Sequence, residues 1–95
     1  MPVPVLTRFK VEDYDRWRAV FDSKGELRKS AGSLGTHIFR NAKDPSEVIV
    51  NVQWQDESLA AAFYGSQDLN AAMQEAGVIG SIEVTYLEDA GRTAN

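Results

Sequence analysis

A chain of 95 residues, 43% of them hydrophobic and 25% charged, is the size and composition of one globular domain, with no room for a second and no sign of wholesale disorder. A net charge of −4 with ten scattered Lys and Arg excludes the clustered cations that a nucleic-acid binder needs, and the absence of cysteine excludes disulfides, thiolate nucleophiles and Cys-ligated zinc. No apolar run approaches the roughly 20 residues that span a bilayer, and the N-terminal stretch lacks the apolar core of a signal peptide. A cytoplasmic location is therefore expected, with neither nucleic acid nor a membrane as partner.

Val3 to Val11 alternates Val5, Thr7, Phe9 against Leu6, Arg8, Lys10, which predicts a strand. Pro2 and Pro4 stand at its start, where a missing N–H is tolerated. The period then changes: Tyr14, Trp17, Phe21 and Leu27 recur at helical spacing up to Ala31. Asp13 suits the N-cap and Gly32 the end of this helix, while Gly25 inside it predicts a bend or break. Lys24, Arg28 and Lys29 share this segment, interrupted by Glu26, and read as a solvated face.

Thr36–Arg40 and Glu47–Trp54 are predicted strands joined through the turn-rich stretch from Asn41 to Ser46, hence an antiparallel hairpin. A second helical region starts at Asp56, pauses at Gly65 and Ser66, and resumes with Leu69, Ala72 and Met73. Gly77 to Gly80 reads as a loop and Ser81 to Leu87 as the last strand; 89–95 is a polar tail of the same single domain, 1–95. The order β-α-β-β-α-β predicts an α+β, ferredoxin-like fold: a four-stranded antiparallel sheet with its helices on one face. Both sheet faces carry apolar residues, Val48, Val50, Val52 and Trp54 on one and Ile49 beside Asn51 and Gln53 on the other. Covering the second face with another copy of the chain is the expected solution, so a homodimer is predicted.

With its elements placed, the chain resembles the antibiotic-biosynthesis-monooxygenase-like proteins of the dimeric α+β barrel superfamily. The likeness runs from Val3 to Glu88 and is carried by three stretches: Tyr14 to Phe21, Glu47 to Ser58 with its strand ending in Trp54, and Phe63 to Leu69. It implies a pocket between helices and sheet, and a cofactor-independent monooxygenase acting on a small aromatic or polyketide-like substrate. The alternatives are a polyketide-type cyclase and a non-catalytic ligand-binding or structural dimer module. Haem-degrading relatives carry a Trp and an iron-ligating His where this chain has Phe63 and Met73, so the resemblance does not extend to that branch. No cofactor is expected.

The candidate catalytic residues are His37, Asn51 and Tyr14. His37 is the only histidine, and the only side chain whose unperturbed pKa suits proton transfer near neutrality. It reads either as a structural or seam residue, or as a base facing the pocket; a one-residue slip of the hairpin decides between them. Asn51 is either satisfied in a structural network or holds a substrate oxygen, and Tyr14 is a hydrogen-bond donor. Trp17, Phe21, Trp54, Phe63, Tyr64 and Met73 read as core first and as substrate-binding walls second. Arg8 and Glu83 are expected to pair across neighbouring strands. One His, no Cys and dispersed carboxylates assemble no metal site, and Gly77 to Gly80 precedes a strand, the wrong order for a phosphate loop.

Overall fold

The structure, a computed structural model, describes residues 2–95. It contains β1 (Val3–Val11), α1 (Tyr14–Ser23), α2 (Gly25–Ala31), β2 (Ser33–Asn41), β3 (Asp44–Trp54), α3 (Glu57–Tyr64), α4 (Gln67–Glu75) and β4 (Val78–Tyr86). The sheet is antiparallel throughout, in the order β2-β3-β1-β4, which is the ferredoxin-like arrangement. No helix among the described residues is long and apolar enough to cross a membrane.

Local chemistry sets the helix ends where the residues predict. The Asp13 carboxylate accepts from the backbone N–H of Asp15 (3.0 Å) and Arg16 (3.4 Å), and Asp56 does the same for Leu59 (2.9 Å). The break at Gly25 is real: α1 stops before Lys24 and α2 begins at Gly25. The stop frees the Phe21 carbonyl, which accepts from the Lys24 N–H (3.1 Å) and from Arg28 Nη1 (2.7 Å). The second break falls at Gly65, with Ser66 Oγ capping α4 through the Leu69 N–H at 3.2 Å. Gly32 closes α2 at a φ of 112°, and a Cβ there would meet Leu59 Cδ1 at 2.8 Å.

Three strands start earlier than the residues suggest. β2 begins at Ser33, β3 at Asp44 and β4 at Val78, ahead of the predicted starts at Thr36, Glu47 and Ser81. Each extension pairs with a neighbouring strand (Ser33 with Trp54, Asp44 with Asn41, Val78 with Val11), so ladder hydrogen bonds override weak β propensity. The expected loop at Gly77 to Gly80 is thus mostly strand. Register shifts between Arg8 and Lys10 along the β1–β4 pair, and Gly80 close by adopts a φ of 71°.

Register assigns the two faces. Val5, Thr7 and Phe9 lie opposite Val52, Val50 and Val48, and this face meets the helices. Its core is Val5, Val11, Val48, Val50, Val52 and Trp54 from the sheet, closed by Trp17, Ala60 and Ala76 from the helices. The other face carries Leu6, Ile49, Asn51, His37, Phe39, Arg8 and Glu83 and has no helix over it. Arg8 and Glu83 are register partners, but their charged groups do not come within ion-pair distance.

Candidate functional site

Between the helices and the sheet lies a cavity of about 80 Å³. The sheet supplies Thr7, Val50 and Val52 to its wall, α1 supplies Trp17 and Phe21, and the second helical region supplies Phe63, Tyr64 and Met73. Phe21 in the last turn of α1 and Tyr64 at the end of α3, each just ahead of its helix break, face the same space. Trp17 and Phe21 stack at 4.9 Å, with Phe9 5.6 Å from Trp17, so the aromatic wall is continuous.

Few polar groups reach this space. The buried Thr7 hydroxyl donates to the Val50 carbonyl at 3.4 Å. The Tyr64 oxygen accepts from Trp54 Nε1–H at 3.3 Å, which leaves its own proton available to donate. Burial raises the Tyr64 pKa, partly offset by the Trp54 hydrogen bond and the nearby Arg28 charge, so the phenol stays neutral at physiological pH. The charged residues in the wall are Lys24 and Arg28; no carboxylate and no imidazole lines it. Lys24 Nζ lies 3.9 Å from Glu75. Arg28 has its Cζ 3.5 Å above the Phe21 ring, and burial pulls its pKa down despite Asp22 and Tyr64 nearby.

Arg28 also borders a second, outer cleft of about 520 Å³ between α2 and β2. Lys29, Ser33, Thr36 and Gln55 line it, again with no acidic residue. The reading of Lys24, Arg28 and Lys29 as a solvated face holds for Lys29 alone, because Lys24 and Arg28 are half-buried. The spacing carried this signal: Lys24 and Arg28 stand at positions 24 and 28, in helical step with Trp17 and Phe21, although composition alone suggested a solvated face.

The residues singled out from the sequence divide into two groups. Trp17, Phe21, Phe63, Tyr64 and Met73 line the cavity together. Trp54 stands behind them, fully buried, 5.0 Å from Phe63 and 5.7 Å from Tyr64. Tyr14 packs on Trp17 at 5.7 Å, but its hydroxyl accepts from Arg18 at 3.4 Å and its ring carries Arg40 at 4.2 Å, outside the cavity wall. His37 and Asn51 are register partners on the other face of the sheet, and His37 is exposed and stacked on Phe39 at 4.1 Å. His37, Asn51 and Tyr14 are therefore not brought together around one space. Asn51 Oδ1 is buried without a hydrogen-bond partner among the described residues. Among the described residues no three His, Asp or Glu converge as metal ligands.

The fold is shared with solved structures of antibiotic biosynthesis monooxygenases. A putative antibiotic biosynthesis monooxygenase from Bordetella bronchiseptica superposes with a TM-score of 0.79 at 15% identity, covering 94% of this chain and 97% of that one. SnoaB, a cofactor-independent oxygenase from Streptomyces nogalater, superposes at 0.77 with 12% identity over 99% of this chain and 98% of its own. A putative antibiotic biosynthesis monooxygenase from Caulobacter crescentus gives 0.73 at 17% identity over 95% and 91%. No family model and no curated protein sequence matches the chain. The expected ferredoxin-like architecture of this group is thus the observed one, and the likeness lies in structure.

Proposed function

We propose that the chain binds a small aromatic or polyketide-like molecule between its helices and its sheet and oxygenates it with dioxygen and no cofactor. The carrying observation is the cavity itself, an aromatic-walled space with the Tyr64 hydroxyl as donor, in a fold that SnoaB uses as a cofactor-independent oxygenase. At about 80 Å³ it is roughly half the volume of about 150 Å³ that accepts a benzene ring in an engineered protein core. Ligand entry therefore requires the wall to move, and Met73 and Arg28 are its most adaptable members.

The chemistry suits an electron-rich anthrone. Loss of a C–H proton gives an enolate, which passes one electron to dioxygen; the carbon radical and superoxide join as a peroxide. Loss of water from the peroxide leaves a carbonyl, so CH2 and O2 become C=O and H2O. The positive charge of Lys24 favours the enolate, Tyr64 donates to its oxygen, and the apolar walls exclude water. The proton leaves to solvent, since His37 and Asn51 lie across the sheet.

Oxygen uptake with dithranol, a hydroxylated anthrone, tests this. Protein-dependent uptake matched one to one by quinone, and unaffected by chelator, is the expected result. Binding without uptake would favour the second reading, a ligand-binding module without turnover, which the lack of any carboxylate or imidazole in the wall supports.

We also infer that two copies pair through the helix-free sheet face. Leu6 and Ile49 form its apolar centre, Phe39 and Ile79 are 47% and 51% exposed, and the Asn51 oxygen lacks a donor among the described residues. Sedimentation velocity should give a dimer that Ile49→Asp converts to monomer; a monomeric wild type would reject this pairing.

A further inference from the structure

The geometry points to an anion subsite in the wall shared by the cavity and the outer cleft, where Arg28 takes the carboxylate of an aromatic acid whose ring occupies the cavity. This rests on the reading of the cavity as an aromatic-ligand site and adds the ligand's charge to it. Arg28 Nη1 donates to the Phe21 carbonyl at 2.7 Å, and the guanidinium lies 3.5 Å above the Phe21 ring. The group is thereby held in place with its other edge, Nε–H and Nη2–H, free of any acceptor among the described residues. That edge is the parallel pair of donors that a carboxylate matches with both oxygens.

No carboxylate of the chain fills the role. Asp22, the acid whose charge Arg28 feels, is engaged by Arg18 at 3.0 Å, and among the described residues no acidic group reaches Arg28 within 4 Å. Lys10, Arg16 and Arg18, though more exposed, each have an acidic partner. An exposed cation is stabilised by water, whereas a half-buried one is stabilised by a counter-anion, and Arg28 is the half-buried one left without it. Its burial depresses its pKa, in keeping with that missing anion. The cleft beyond it adds Lys29, the hydroxyls of Ser33 and Thr36 and the Gln55 amide, with no acid, in a chain whose net charge is −4. A carboxylate drawing the guanidinium toward the cleft would also retract the cavity wall, making room for the ring.

Calorimetric titration with 2-naphthoate and its neutral counterpart 2-naphthamide tests the subsite. Naphthoate should bind about tenfold or more tightly, as charge-assisted paired hydrogen bonds imply. Arg28→Gln should abolish the preference, bringing naphthoate down to the affinity that the same variant shows for the amide. Arg28→Lys, which keeps charge without the fork, should fall between, and it carries the test if circular dichroism shows the Gln variant unfolded. Equal binding of both ligands, or a naphthoate preference that survives the substitutions, overturns the subsite and leaves the cavity reading standing. If neither naphthyl compound binds, the cavity reading fails; acetate titrated against the Arg28 Nε–H resonance then decides the subsite alone. A shift at Arg28 sustains it, and no shift overturns it.

Discussion

Replacing Trp54 probes the junction on which both the core and the cavity wall depend. Its ring is fully buried at the end of β3, packed on Phe63 and Tyr64, and its N–H reaches the Tyr64 oxygen at 3.3 Å. Trp54→Ala removes that ring from a site the sheet cannot collapse into, at a cost of about 3–5 kcal/mol. For a domain of this size the whole stability is about 5–14 kcal/mol, so the variant should lose about a fifth of it or more. Trp54→Phe keeps most of the packing and loses the donor, while Tyr64→Phe leaves the indole N–H without its acceptor at a cost of about 1–3 kcal/mol. The double variant should recover about 0.5–1.5 kcal/mol relative to the sum of the singles. Urea unfolding followed by far-UV circular dichroism measures all four against wild type. A Trp54→Ala cost below about 1 kcal/mol would refute the packing assignment, and strict additivity of the two Phe variants would refute the hydrogen bond.

Other substitutions test separate links. Gly32→Ala places a Cβ at positive φ and against Leu59, and should destabilise by about 2 kcal/mol in the same urea assay. Asp13→Ala removes the cap of α1 and should cost about 1 kcal/mol, with the loss of amide-exchange protection concentrated at Asp15 and Arg16. Hydrogen bonds from Lys10 and then Ser46 lower the Asp44 pKa to about 2, below its ordinary 3.8. A depressed carboxylate pKa stabilises the fold above the unfolded value, so this contribution should disappear as pH falls from about 4 through 2. Asp44→Asn should flatten the stability profile in that window, and an unchanged acid limb would count against the pairing. Ala72→Phe, which fills the cavity, should weaken naphthyl binding about tenfold or more by calorimetry without unfolding the chain.

Much of the architecture was legible residue by residue. Alternation in Val3–Val11 marked β1 to its observed bounds, and Asp13, Gly32, Asp56 and Ser66 marked helix ends because capping is a contact within three residues. The early starts of β2, β3 and β4 were not legible, since they depend on partners far along the chain. The aromatic wall was found because large apolar side chains at helical spacing must point to the sheet. The face of His37 was not, because it follows from the hairpin register, which pairs it with Asn51 rather than with Val50 or Val52.

By itself, then, the sequence determined the element order, the helix caps and the two alternating sheet faces, all set by interactions among near neighbours. The tertiary structure alone decided that His37 and Asn51 stand on one side of the sheet and the cavity on the other. It also turned Arg28 from an apparent surface residue into a half-buried cation on the cavity wall. The reason is geometric: where α1 stops, the Phe21 carbonyl accepts a second hydrogen bond from Arg28 Nη1, and this contact holds the guanidinium over the Phe21 ring.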